Sequence, residues 1–253
     1  NGGISTTNFD YVNKNGLAIQ TKSDVIIKNG LVLHLDAGNV ASYSGTGTTW
    51  TDLSGNGNNG TLKNGVGYNS DNEGSLVFDG VNDYFVTNNN LDLSSTDKLT
   101  IQIILKTASS NVEMVLEHSV NWNHHNSFGV VLNNQNNKIQ TVDHNQKYNV
   151  SNSAVSINND NWSLFSTTID RSLGAADQNL IYINGDTANK VNVSNLLFDN
   201  SLNFDSHKLY LSSRGGIAYY FNCAIAQVLI YNRVLTAAEI LQNFNVVRLK
   251  YGL

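Results

Sequence analysis

Ser75-Leu-Val-Phe-Asp-Gly-Val-Asn-Asp-Tyr-Phe-Val86 is the stretch that decides the architecture. Leu76 and Phe78 alternate with Ser75, Val77 and Asp79, so one face of an extended segment carries both apolar anchors. Asp79-Gly80 then breaks the alternation with turn chemistry, and Tyr84 and Val86 resume it beyond Asp83. Two carboxylates at a bend between buried runs make either a structural corner or a cation-binding corner.

The same period of two recurs on both sides. Leu31, Leu33 and Leu35 share a face, with His34 on the other, and Leu99–Leu105, Phe128–Leu132, Trp162–Ile169 and Leu209 with Leu211 alternate likewise. Asn184-Gly185, set between the run holding Ile181 and Ile183 and a second run, predicts a hairpin. Phe221 to Tyr231 is apolar on both faces apart from Gln227, as suits a strand covered on both sides. One helix is predicted near the end: Thr236 caps it, Glu239 completes a capping box, and Leu235 staples onto Ile240. Its apolar face is expected to be Ile240, Leu241 and Phe244. Many short strands with one late helix predict an all-β, two-sheet antiparallel jelly-roll sandwich. Residues 1–28 read as an N-terminal arm or connector, and residues 29–253 as one domain.

Composition narrows the partners. Only 14% of the 253 residues are charged, below the usual quarter or so, and the net charge is −5. No basic patch offers itself to nucleic acid, and no apolar run approaches membrane-spanning length. The single cysteine, Cys223, excludes an internal disulfide and sits in an apolar strand as a small hydrophobe.

Four motifs now carry a resemblance. Trp50-Thr-Asp-Leu-Ser-Gly-Asn-Gly-Asn-Asn-Gly60, Leu76 to Tyr84, Ile181-Tyr-Ile-Asn-Gly185 and Ile225 to Ile240 together resemble the laminin-G-like, concanavalin A-like jelly-roll domains. The ending Gln242-Asn-Phe-Asn245 to Tyr251-Gly-Leu253 looks most like versions carried on bacteriophage structural proteins. The resemblance implies a structural calcium, with Asp52, Asn56, Asp79 and Asp83 as candidate ligands. Gln227 stands where related domains often carry an acidic residue, which weakens the set by one carboxylate. The competing reading gives Asp52 and Asp79 turn and backbone hydrogen bonds only.

In function, the resemblance implies a non-catalytic decoration domain on a virion surface, oligomeric in the assembly. An arm around Val25–Ile27 would contact other virion subunits by pairing with a neighbour's edge strand. The alternative it implies is a carbohydrate-binding adhesion module of a tail fibre or a secreted bacterial protein, facing cell-surface glycans.

The fold class includes glucan-cleaving enzymes, so paired acids matter. In the laminarinase-like members two Glu lie on one strand with an Asp between them, and here Glu113 and Glu117 are the only pair at matching spacing. On an unbroken strand they share a face with Cα atoms about 13 Å apart, whereas retaining chemistry wants carboxyls about 5–5.5 Å apart. Val115 between them is apolar, and no enzyme is expected. His118, His124, His125 and His144 read as loop polarity, with Trp122 and His124 as the candidate glycan contact. Tyr219-Tyr-Phe221 reads as sheet packing, and Arg214 and Arg233 as loop braces.

Overall fold

The computed structural model describes residues 9–12, 19–21, 25–120, 126–133, 138–145, 147–173, 178–186, 190–192 and 203–253. In chain order its first strands are β1 (Phe9–Val12), β2 (Ile19–Thr21), β3 (Leu31–Asp36), β4 (Thr49–Trp50) and β5 (Gly60–Lys63). Next come β6 (Gly67–Asn69), β7 (Ser75–Asp79), β8 (Tyr84–Thr87), β9 (Leu91–Asp92) and β10 (Lys98–Lys106). They are followed by β11 (Glu113–His118), β12 (Ser127–Asn133), β13 (Lys138–Asn145), β14 (Lys147–Ser156) and β15 (Trp162–Asp170). The last are β16 (Asn179–Ile183), β17 (Lys190–Asn192), β18 (Ser206–His207), β19 (Leu209–Leu211) and β20 (Asn222–Tyr231), before helix α1 (Ala237–Tyr251).

Two antiparallel sheets stack. One runs β16-β15-β10-β20-β7-β6, with β3 also on β20, and the other runs β17-β14-β13-β12-β11-β19-β8-β5-β4. β7 and β3 lie end to end along one edge of β20, pairing Asn222–Ile225 and Gln227–Tyr231 respectively. Alternation sends Leu33, Leu35, Leu76, Phe78, Ile225 and Ile230 from the first sheet into a shared core. There they meet Trp50, Phe85, Leu116, Val130, Leu209 and Leu211 from the second. Trp50 stands edge-on to Phe85 with ring centroids 5.5 Å apart.

Helix α1 covers the outer face of the seven-stranded sheet, which explains why β20 is apolar on both sides. Ile240 and Leu235 pack with Tyr231, Leu229 and Tyr182, while Val247 and Tyr251 pack with Ile104, Leu164 and Ala226. The Thr236–Glu239 capping box forms, and Gly252 ends the helix in the left-handed region at φ 67. The buried face is Ile240, Asn243, Val247 and Tyr251, whereas Leu241 is 45% exposed. The helix is rotated from the expected apolar face because Asn243 takes the central position. Its amide donates to the Tyr231 hydroxyl and to Gln102 Oε1, and its Oδ1 accepts from the Ile27 amide.

That last bond also places the stretch expected to reach for a neighbour. Ile26 is buried beneath α1, the Tyr231 hydroxyl donates to Ile27 O, and Gln242 donates to Val25 O. Val25–Ile27 is therefore engaged by the chain's own helix and β20.

The Asn184-Gly185 hairpin does not form as expected. Both residues take the positive φ of a tight turn, at 53 and 74. Among the described residues an isolated Ile183–Asp186 bridge follows, and β17 pairs with β14 of the opposite sheet. Phe244 and Leu241 of α1 close over Gly185, and β16 and β17 belong to different sheets.

Candidate functional site

Asp52 is the hub of the loop between β4 and β5. Its Oδ1 accepts from the amides of His34 (2.9 Å) and Ser54 (2.8 Å), and its Oδ2 from Ser54 Oγ (2.7 Å) and the Asn58 amide (3.0 Å). Four donors fill the acceptor positions of a carboxylate. The Asn58 and Asn56 side chains donate to Val32 O and Leu31 O, so the loop seals the free edge of β3.

Asp79 and Asp83 meet at the β7–β8 bend. Asp79 Oδ1 accepts from the amides of Val81, Asn82 and Asp83, which hold this carboxyl below its usual range. Asp83 is buried; desolvation and then the Asp79 charge push its carboxyl up, and its Oδ1 has no donor. Gln227 belongs to neither loop, donating instead to Asp36 Oδ2 at 3.2 Å beside His34. Asn222 is the partner of Asp79 on β20. Gln227 lies five residues farther along that strand, roughly 16 Å at about 3.3 Å per residue. The five candidate calcium ligands thus do not converge, and among the described residues no three His, Cys, Asp or Glu gather as a metal set. The residues present fit hydrogen-bonded corners and do not form one calcium shell.

The Glu113–Glu117 spacing is broken by a bulge. The β11–β12 register shifts between Met114 and Leu116, which leaves Val115 as the extra residue. Leu116 stays inward, so Glu117 faces out of the sandwich, while Glu113 turns the other way toward Asn222 and Cys223. The two carboxylates therefore occupy opposite sides of their sheet.

Glu117 sits among aromatic side chains on the outer face of the nine-stranded sheet. Phe85, Leu209 and Leu211 point into the core, which turns Tyr84 and Tyr210 outward. Tyr84 is 6.4 Å, centroid to centroid, from both Tyr210 and Tyr220, with tilts of 39° and 40°. All three tyrosines are half-buried. The turn between β19 and β20 lies against them: Gly216 leaves no room for a Cβ, which would meet Tyr84 Cζ at 2.9 Å. Ser212 and Tyr219 hold positive φ in the same turn, at 62 and 51, and the Arg214 guanidinium lies 5.6 Å over the Tyr219 ring.

Beneath this turn Glu117 is 1% exposed. Ser119 Oγ donates to its Oε1 at 2.6 Å, while Oε2 has no donor. Desolvation pushes this carboxyl up, against the Ser119 bond, the Gly215 amide and the Arg214 charge. Tyr219-Tyr-Phe221, expected in sheet packing, divides: Phe221 is fully buried and Tyr219 is exposed. Tyr84 and Val86, expected to resume the inward alternation, are instead half-exposed, because Phe85 and Thr87 are the residues of β8 that turn into the core.

The histidines divide. His118 is fully buried, stacked on Phe128 at 4.8 Å, with Nε2 against Leu91 O at 2.9 Å, and His144 is buried as well. Neither supplies loop polarity, because each belongs to a strand, His118 to β11 and His144 to β13. Trp122, His124 and His125 lie outside the described residues. Arg233 does brace its loop, donating to Asn29 O and to Glu239.

Solved structures share this fold. The receptor-binding domain of a botulinum neurotoxin C/D mosaic serotype aligns at TM-score 0.63 and 15% identity, over 87% of this chain and 52% of that one. The binding domain of Botulinum Neurotoxin DC, solved in complex with SialylT, aligns at TM-score 0.63 and 11% identity, over 87% and 52%. Trypanosoma rangeli sialidase in complex with the inhibitor DANA aligns at TM-score 0.59 and 15% identity, over 94% and 35%. The chain thus spans about half the length of the toxin domains and about a third of the sialidase. No curated protein sequence matches it. The Laminin_G_3 family model, described as the Concanavalin A-like lectin/glucanases superfamily, matches residues 78–241. That match runs from the end of β7 into α1, across both sheets, and the chain belongs to this concanavalin A-like superfamily.

Proposed function

We propose that this chain is a non-catalytic carbohydrate-binding module that contacts its ligand through the tyrosine face of the nine-stranded sheet. The observation that carries the reading is the row Tyr210–Tyr84–Tyr220, half-buried on the outer face of the sheet. Sugar rings offer flat C–H faces to aromatic surfaces, and tyrosine adds a polar rim. Glu117, enclosed beneath the turn and bonded to Ser119, supports this surface from behind and leaves the ligand contacts to the tyrosines. The strained turn at Ser212–Tyr219 fixes these groups before a ligand arrives.

Of the two roles the resemblance implied, adhesion is the better supported. A toxin neighbour of the same fold is solved with SialylT, a likeness of fold at 11% identity. A non-catalytic role is supported by the opposed placement of Glu113 and Glu117, which cannot flank one glycosidic bond. Under this reading the module acts outside the cell, on cell-surface glycans.

A glycan array followed by calorimetry tests it. Reproducible binding is expected, weakened about tenfold or more by Tyr210→Ala or Tyr84→Ala, as the loss of one aromatic contact predicts. An array without binding, or binding indifferent to both variants, overturns the reading.

A further inference from the structure

Residues 107–112 carry the chain from β10 to β11, and beside this crossing a cavity of about 530 Å³ opens against β7 and β20. Val77, Cys223 and Ala224 supply apolar wall. The charged groups are Asp79, Glu113 and Asp160 against one lysine, Lys106, whose ammonium is 3.5 Å from Asp160. Glu113 is 6% exposed. Ser109, Asn111 and the Asn222 amide satisfy part of its carboxylate, yet Oε2 has no donor. Asn222 is also the cross-strand partner of Asp79, so one residue is flanked by both carboxylates.

The chemistry of this lining selects its occupant. Three carboxylates against one ammonium repel an anion. A hard divalent cation wants about six to eight oxygens, and among the described residues no three acidic, His or Cys groups converge. A neutral ligand satisfies Glu113 Oε2 and leaves the negative lining unbalanced. An alkylammonium brings three donors on one tetrahedral nitrogen together with the missing charge.

We propose that this cavity binds a ligand bearing a primary ammonium group, its nitrogen on Glu113 Oε2 and its charge facing Asp79. An amino sugar and a lysine side chain share that chemistry. The site is separate from the tyrosine face, because the bulge at Val115 turns Glu113 away from Glu117.

Calorimetry on the whole chain decides the matter, using glucosamine and Nα-acetyl-lysine amide, each beside its N-acetylated twin. At least one free amine is expected to bind about tenfold or more tightly than its twin, the scale of one charge-assisted hydrogen bond. Whichever amine shows the preference identifies the source. Glu113→Gln is expected to abolish the preference, and Asp160→Asn, at the exposed and lysine-paired position, to keep it. Equal binding of amine and twin, no binding by either amine, or a preference that survives Glu113→Gln overturns the proposal. Should Glu113→Gln fail to fold, Asp79→Asn serves instead: it must reduce the preference at least about threefold through the lost charge, and an unchanged preference refutes the site.

Discussion

Replacing Asp143 by asparagine tests how the two sheets are joined at one end. Asp143 on β13 and Arg171 just after β15 come from opposite sheets, and both side chains are fully buried. Arg171 Nε lies 3.2 Å from each Asp143 oxygen, and Gln178 donates to Oδ2 at 2.7 Å. The guanidinium is held from elsewhere too, donating to Asn203 O and lying 3.8 Å over the Phe204 ring. Asparagine keeps the shape and removes the charge, so Arg171 stays in place without its counter-ion. Stranding one member of a buried pair costs about 3–5 kcal/mol. At roughly 2–4 °C per kcal/mol for a chain of this size, melting should fall by about 6–20 °C. Calorimetric and circular-dichroism melts at pH 7 measure it, with urea titration as a check. The double variant Asp143→Leu/Arg171→Met, which strands no charge and leaves neutral Gln178 and Asn203 O without these partners, should recover at least half of the loss. A loss below about 1 kcal/mol in Asp143→Asn, or a double variant worse than the single, would refute the reasoning.

Gly60→Ala should destabilise by about 2 kcal/mol or more, since a Cβ there would meet Phe85 Cζ at 2.2 Å and Val86 O at 2.5 Å; a urea midpoint within error of the parent would contradict that packing. His34 and His118 are both lowered to about 4, chiefly by burial. Their contribution is therefore complete above pH 6.5, where neither state is protonated, and is lost as pH falls toward 4 because the unfolded chain takes the protons first. Urea midpoints should decline across that window, and His118→Gln should flatten the decline. Glu239 is lowered to about 2, first by its bonds to Arg233. Its stabilisation holds above pH 4.5 and disappears toward pH 2, and Glu239→Ala should cost about 1 kcal/mol at pH 7 and progressively less in acid. An equal cost at pH 7 and pH 2.5 would show that the capping box acts without its charge.

The sandwich itself was legible because its strands obey a period of two: Leu33, Leu35, Leu76, Phe78, Leu209 and Leu211 all reach the core as their spacing requires. The helix start was equally readable, since Thr236 and Glu239 need only local geometry. The helix face was not, because a polar Asn243 at its centre is satisfied by Gln102, Tyr231 and Ile27, three partners distant in sequence. The Glu113–Glu117 relation failed for a similar reason: one bulged residue reverses parity, and nothing local to Glu-Met-Val-Leu-Glu announces it. The tyrosine face was invisible as a unit because Tyr84 and Tyr210 come from distant segments that the β8–β19 pairing alone makes neighbours.

The clasp between Val25–Ile27 and helix α1 gives the domain a front and a back. Residue 25 and the C-terminal helix meet on the layer opposite the tyrosines. Cargo or a stalk joined at either place would leave from the rear, holding Tyr84 and Tyr210 outward like the palm of a hand mounted at the wrist.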